Sequence, residues 1–135
     1  MRRLFLDANV LFTAAHNPAG KAAFIIELGA EGHWRVFTSA YAVEEAKRNL
    51  TLKFPDALAH HSRQVESVAL VKANPALPFP AELPEKDRPI FQGALSCPAT
   101  HLITGDLRDF GRFMTGSEPT FGLIVQTAAQ FLDSL

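Results

Sequence analysis

Asp7 stands directly after the apolar run Leu4-Phe5-Leu6, and Asp106 follows Leu102-Ile103-Thr104 with only Gly105 between. If both runs are buried strands of one parallel sheet, both carboxylates leave the same rim, where such sheets bind ligands. Taken singly, either residue also reads as a helix cap or a turn. Asp87 lies at helical spacing from Ile90, Phe91 and Ala94, so it heads the stripe that should face a core. Pro89 in the first turn makes it an N-cap as well, a role compatible with metal ligation. Glu44 and Glu45 flank the apolar positions Ala42, Val43, Ala46 and Leu50 from opposite edges, and periodicity does not choose between them. Arg48, four residues after Glu44, offers that residue a surface ion pair. Glu45 has no such partner and is therefore the helical candidate for the cluster.

Carboxylates gathered in this way repel one another, and burial raises their pKa values unless a cation is present. Mg²⁺ or Mn²⁺ suits such a site. These hard ions take carboxylate oxygens and keep waters, one of which can attack a phosphodiester as hydroxide. His16, His33, His60, His61 and His101 lack the spacing of a zinc site and read as surface or hydrogen-bonded residues.

The elements that must position these groups are legible in outline. Leu4-Phe5-Leu6, Arg35 to Thr38, Leu102-Ile103-Thr104 and Leu123-Ile124-Val125 read as short strands. Ala22 to Leu28 reads as a buried helix ended by Gly29 and Gly32. A second helix follows an N-cap at Ser39 and runs to about Asn49, and another starts near Pro55. Asp87 to Leu95 and Ala128 to Leu132 complete the helices. Prolines 75, 78, 80 and 84 make Asn74 to Glu85 an irregular surface crossing. Alternating helices and apolar strands imply an α/β domain with a central, mostly parallel sheet between two helical layers.

With 135 residues and 47% hydrophobic composition, the chain suits a single domain spanning 1–135 that buries its core without staples. Cys97 is the only cysteine, which excludes an intramolecular disulfide and fits a reducing, cytoplasmic setting. Asp7 interrupts the N-terminal apolar run too early for a signal peptide, and no segment is long enough to span a bilayer. A net charge of -1 gives no reason for non-specific nucleic-acid binding, so a nucleic-acid partner would need a local site.

Over nearly the whole chain, the sequence resembles the PIN domain, the three-layer, Rossmann-like α/β/α fold of many metal-dependent ribonucleases. These include the VapC-like toxins of VapBC-type toxin-antitoxin pairs. The strongest stretch is Asp87-Arg88-Pro89-Ile90-Phe91-Gln92-Gly93-Ala94 leading to His101-Leu102-Ile103-Thr104-Gly105-Asp106-Leu107-Arg108-Asp109-Phe110. The first motif, Leu6-Asp7-Ala8-Asn9-Val10-Leu11, and the last strand and helix, Gly122 to Leu132, are also similar. The resemblance implies Asp7, Glu45, Asp87 and Asp106 as the acidic quartet. Asp7, Asp87 and Asp106 would be metal ligands, Asp109 an additional acidic neighbour and ligand, and Asn9 and Thr104 supports. The distance from Ser39 agrees with Glu45 over Glu44. Ala8 departs from the family, which often has Thr or Ser there.

The activity implied is Mg²⁺- or Mn²⁺-dependent endonucleolytic hydrolysis of RNA, as a toxin paired with an antitoxin protein, with a homodimer as the assembly. Lys47 and Arg48, beside Glu45, and Arg108 and Arg112, past the rim, are the candidates for RNA phosphate contacts. The alternatives are a stand-alone PIN nuclease, a non-catalytic PIN-like binding module, and a HAD-like phosphatase using Asp7 as nucleophile. Asn9 cannot serve as the second acid that such a phosphatase needs.

Overall fold

The computed structural model describes residues 1–116 and 118–135. Five strands form one sheet: β1 (Arg3–Leu6), β2 (Arg35–Ser39), β3 (Ala69–Val71), β4 (His101–Ile103) and β5 (Ile124–Gln126). Their order is β3-β2-β1-β4-β5 and every pairing is parallel. The helices are α1 (Ala8–His16), α2 (Lys21–Ala30), α3 (Ala40–Lys53), α4 (Leu58–Glu66), α5 (Arg88–Ser96), α6 (Leu107–Phe110) and α7 (Ala128–Asp133). This is the PIN-like α/β fold that the sequence implies.

The central strand β1 explains the layering. Leu4, Phe5 and Leu6 are all fully buried, which requires cover on both faces because successive side chains alternate. Phe5 meets α5 at Gly93, where an added Cβ would come within 2.8 Å of the Phe5 ring. Glycine at this position sets how closely α5 lies on the sheet.

Three parts of the fold differ from the expectation. Helix α1 begins immediately after Asp7; its polar Asn9 and Thr13 mask a buried stripe of Val10, Leu11 and Ala14. Strand β3, which is not among the expected strands, lies in the short apolar run Val68 to Val71, and as an edge of the sheet it leaves Ala69 and Leu70 exposed. Gly29 does not end α2 but lies within it, against β2, where a Cβ would sit 2.4 Å from Val36 Cγ2. Gly32, with φ +93°, makes the turn. Smaller shifts are that α3 continues to Lys53 and that Pro55 opens a short 3₁₀ turn, Pro55–Ala57, before α4.

The proline-rich crossing is irregular, as expected, but anchored. Gln92 Nε2 of α5 donates to Pro75 O (3.2 Å) and Leu77 O (2.8 Å), while Leu83 is buried. The crossing ends in a second 3₁₀ turn, Glu85–Asp87, which leads directly into α5. Its length and anchoring therefore determine where Asp87 enters the site. Among the described residues, no helix is long and apolar enough to cross a membrane.

Candidate metal centre

Asp7, Ser39, Thr104 and Thr127 each follow or end a strand, so all stand on the carboxyl rim of the sheet. Asp7 caps α1 and is 4% exposed. One carboxylate oxygen accepts from Ala8 N at 2.7 Å. The other accepts from Asn9 Nδ2 at 3.1 Å and from Thr104 Oγ1 at 2.8 Å. Despite these donors, burial pushes its pKa up to about 6, helped by the charges of Glu45 and Asp106 and opposed by Thr104 and Ala8.

Thr104 is fully buried and joins the two sides of the site. Its hydroxyl donates to Asp7 and accepts from Asp106 N (3.1 Å) and Asn9 Nδ2 (3.3 Å). Asn9 Oδ1 in turn accepts from Gly105 N at 2.6 Å. Asn9 and Thr104 thus tie the end of β1 to the end of β4 at the rim. Thr104→Val, which keeps the shape without the hydroxyl, is expected to weaken Mn²⁺ binding by about ten- to a hundredfold. Calorimetric titration measures this; wild-type affinity would remove Thr104 from the supporting shell.

Asp87, Asp106 and Asp109 present carboxylate oxygens that all lie within 4.8 Å of one another. This compact triple contains Asp109 and not Asp7. Asp7 adjoins it through Thr104 and through its charge, which acts on Asp87. Asp106 caps α6 by accepting from Asp109 N at 3.0 Å, so a helix of one turn brings these two acids together.

Asp87 does not cap α5 with its side chain. Its backbone is already helical, φ -96° and ψ -10°, and its carboxylate points into the cluster. There Oδ2 is buried with no hydrogen-bond donor among the described residues. Burial, then the adjoining Asp109, pushes the Asp87 pKa up to about 7. Asp109 shifts downward, chiefly through its bond with Asp87 and then through Lys86. Two carboxylates facing each other with a buried oxygen unpaired call for a shared proton or a cation. The donor set, all carboxylate oxygen, fits Mg²⁺ or Mn²⁺.

Helix α3 sorts its charged residues between two faces. Tyr41, Glu45 and Arg48 share one face: the Glu45 charge acts on Asp7, and the charges of both Glu45 and Arg48 act on Tyr41. Glu44 and Lys47 share the other, lining a cleft against α4 with Val43, Leu58 and His61. Lys47 therefore faces α4 and is not brought to the acidic cluster. Among the described residues Glu44 and Arg48 form no ion pair, so the surface pairing expected for Glu44 is absent. Arg108 is exposed on α6, and Arg112 is engaged with Glu118 at 3.8 Å.

Two further residues at the site are not singled out by the sequence. Lys86 Nζ lies 3.3 Å from Asp109 Oδ2, and Tyr41 Oη donates to Lys86 O at 2.8 Å. Adjacency of Lys86 to Asp87, and the four-residue step from Tyr41 to Glu45, are the signals that point to them. Of the histidines, His101 bonds Thr100 Oγ1 at 2.7 Å. His61 differs from the expectation of a surface or well-bonded residue: it is buried, its ring nitrogens make no good hydrogen bond among the described residues, and burial pushes its pKa down against a weak opposing interaction with the Val43 backbone. A cleft of 560 Å³ opens beside the acids, lined by Asn9, Val10, Thr13, Lys21, Gly105 and Thr127 among others.

No family model matches the chain, and no curated protein matches it. Solved structures do share its fold. Over 93% of this chain and 98% of the other, it superposes on a chain of VapBC2 from Rickettsia felis bound to a DNA fragment from their promoter (TM-score 0.61, 14% identity). A chain of VapBC-1 from nontypeable Haemophilus influenzae matches over 94% of this chain and 98% of the other (TM-score 0.59, 18% identity).

Proposed function

We propose that the chain, which shares the fold of VapBC chains, is a Mg²⁺- or Mn²⁺-dependent endoribonuclease acting as the toxin of a toxin-antitoxin pair. The observation that carries the reading is the buried, donorless Oδ2 of Asp87 facing the carboxylates of Asp106 and Asp109. Fold alone would not supply a function, so the chemistry of this site bears the weight.

Asp87, Asp106 and Asp109 would hold the cation, with Asp7 beside them as a ligand directly or through water. Bound there, a divalent ion supplies positive charge at a phosphate and makes an attacking water more acidic. The chain's own residues do the rest. Thr104 and Asn9 fix the Asp7 carboxylate, and Glu45 adds negative charge at Asp7. The cleft that reaches Asn9 and Gly105, with Lys21 on its wall and none of the acids lining it, would offer RNA an approach to the site. The fold shared with VapBC chains supports an antitoxin protein as partner, and a homodimer as assembly is what the family resemblance implies.

The test is cleavage of labelled RNA by purified protein with Mg²⁺ or Mn²⁺ and with chelator. Glu45→Gln is expected to slow cleavage by about ten- to a hundredfold, whereas Glu44→Gln on the opposite face should leave it unchanged. Equal effects of the two substitutions would sink the role of Glu45. RNA that is bound but never cut would favour the non-catalytic binding module, and a trapped phospho-Asp7 would favour the phosphatase. For the toxin role, growth arrest on expression should be relieved by the product of an adjacent short gene.

A further inference from the structure

We propose that Lys86 is a phosphate-contacting residue, holding the RNA backbone at the mouth of the acidic site. The inference deepens the nuclease reading and rests on it. A polyanion meets the carboxylates of Asp7, Glu45, Asp87, Asp106 and Asp109 here, and needs a cation at the point of entry. Among the described residues Lys86 supplies the ion pair to this cluster. Lys47 faces α4 and Arg112 is held by Glu118, while Arg48 on the Glu45 face of α3 and the exposed Arg108 of α6 form no ion pair with the cluster among the described residues.

The geometry suits contact rather than burial. The Lys86 side chain is 70% exposed while that of its partner Asp109 is 13% exposed, so the ammonium sits at the rim of the cluster. An ammonium has three donors. One is directed to Asp109, which leaves the others for a non-bridging phosphate oxygen arriving from solvent. The backbone beneath is held, because Tyr41 of α3 donates to Lys86 O and Asp87 N donates to Pro84 O at 2.9 Å. A flexible stem on an anchored base allows the charge to follow a phosphate without moving Asp87.

The test uses the full chain and fluorescein-labelled single-stranded RNA, with anisotropy measured in Ca²⁺ over a range of salt. Lys86→Ala is expected to weaken binding by about three- to tenfold, and to make the plot of log affinity against log salt shallower by about 0.7. Lys86→Arg should retain both. Wild-type affinity and slope in Lys86→Ala would overturn the proposal, leaving Lys86 a mere counter-ion of Asp109. Equal loss in Lys86→Arg and Lys86→Ala would overturn it too, because a retained charge should rescue a phosphate contact. The two readings fail separately: RNA cleavage with no effect of Lys86→Ala on binding spares the nuclease, whereas a Lys86 effect without any cleavage spares the phosphate contact. A wild type that binds no RNA overturns both.

Discussion

Asp7→Asn is expected to lower metal-dependent RNA cleavage by about a thousandfold, equivalent to about 4 kcal/mol of transition-state stabilisation. The substitution removes one negative charge and little volume. The introduced amide can still accept from Ala8 N through its oxygen, so the cap of α1 survives. Its nitrogen would face two groups that donate to this oxygen in the wild type, Thr104 Oγ1 and Asn9 Nδ2, so the hydrogen bonds around Thr104 must rearrange locally as well. The loss thus combines charge with this local rearrangement, and an unchanged circular-dichroism spectrum should show that the fold is kept. Cleavage at the wild-type rate by Asp7→Asn would remove Asp7 from the mechanism. Cleavage by the wild type in chelator would remove the metal.

Without divalent ions, the protein should be less stable at pH 7.5 than at pH 5, the reverse of what most paired carboxylates produce. The sign follows from the raised pKa of Asp7, about 6 against 3.8, and of Asp87, about 7 against 3.8. Below pH 3.8 both groups are neutral in the folded and unfolded chains. As pH rises from about 4 to 7, the unfolded chain gives up these protons while the folded chain keeps them, so stability falls. For Asp7 the loss totals about 3 kcal/mol, of which roughly 1.4 kcal/mol, or on the order of 5 °C in Tm, falls between pH 5 and pH 7.5. His61 and His101 act in the opposite sense, because burial lowers both pKa values. The difference in Tm between wild type and Asp7→Asn isolates the carboxylate. It should change between pH 5 and pH 7.5 in favour of the variant, and Mn²⁺ at pH 7.5 should raise the wild-type Tm while barely changing it at pH 5. A difference that stays constant from pH 5 to 7.5 in chelator would contradict the burial of an uncompensated charge at Asp7.

Residues whose neighbours in sequence are also their neighbours in space were legible. Leu4 to Leu6, Arg35 to Thr38 and Leu102 to Ile103 declare their strands because a strand covered on both faces must be apolar throughout most of its length. Ser39 declares α3 because a cap is a local hydrogen bond, here from Ala42 N at 3.2 Å. Strand β3 is not declared although Val68 to Val71 is apolar: so short a run fits the end of a helix as well as a strand, and its pairing with β2 is a tertiary fact. The polar members of α1 hide a helix whose burial depends on α2, α3 and α4 packing around it.

For the acidic cluster, chain position pointed to Asp7 and Asp106 at strand ends and helical spacing to Asp87. Glu45 was preferred to Glu44 on the family resemblance and on a Glu44–Arg48 pairing that is absent among the described residues. Tertiary structure decided how those acids group. It set Asp7 behind Thr104 and turned Asp87 inward toward Asp106 and Asp109 instead of letting it cap α5, whereas the meeting of Asp106 with Asp109 is the work of one local helical turn. It also sorted the cations, sending Lys47 toward α4 and bringing Lys86 to Asp109. The physical reason is range. A strand end or a cap is specified within a few residues by sterics and hydrogen bonding. The approach of Lys86 to Asp109, and of Asp87 to Asp106, depends instead on the length and anchoring of the crossing that delivers Lys86 and Asp87 to the rim.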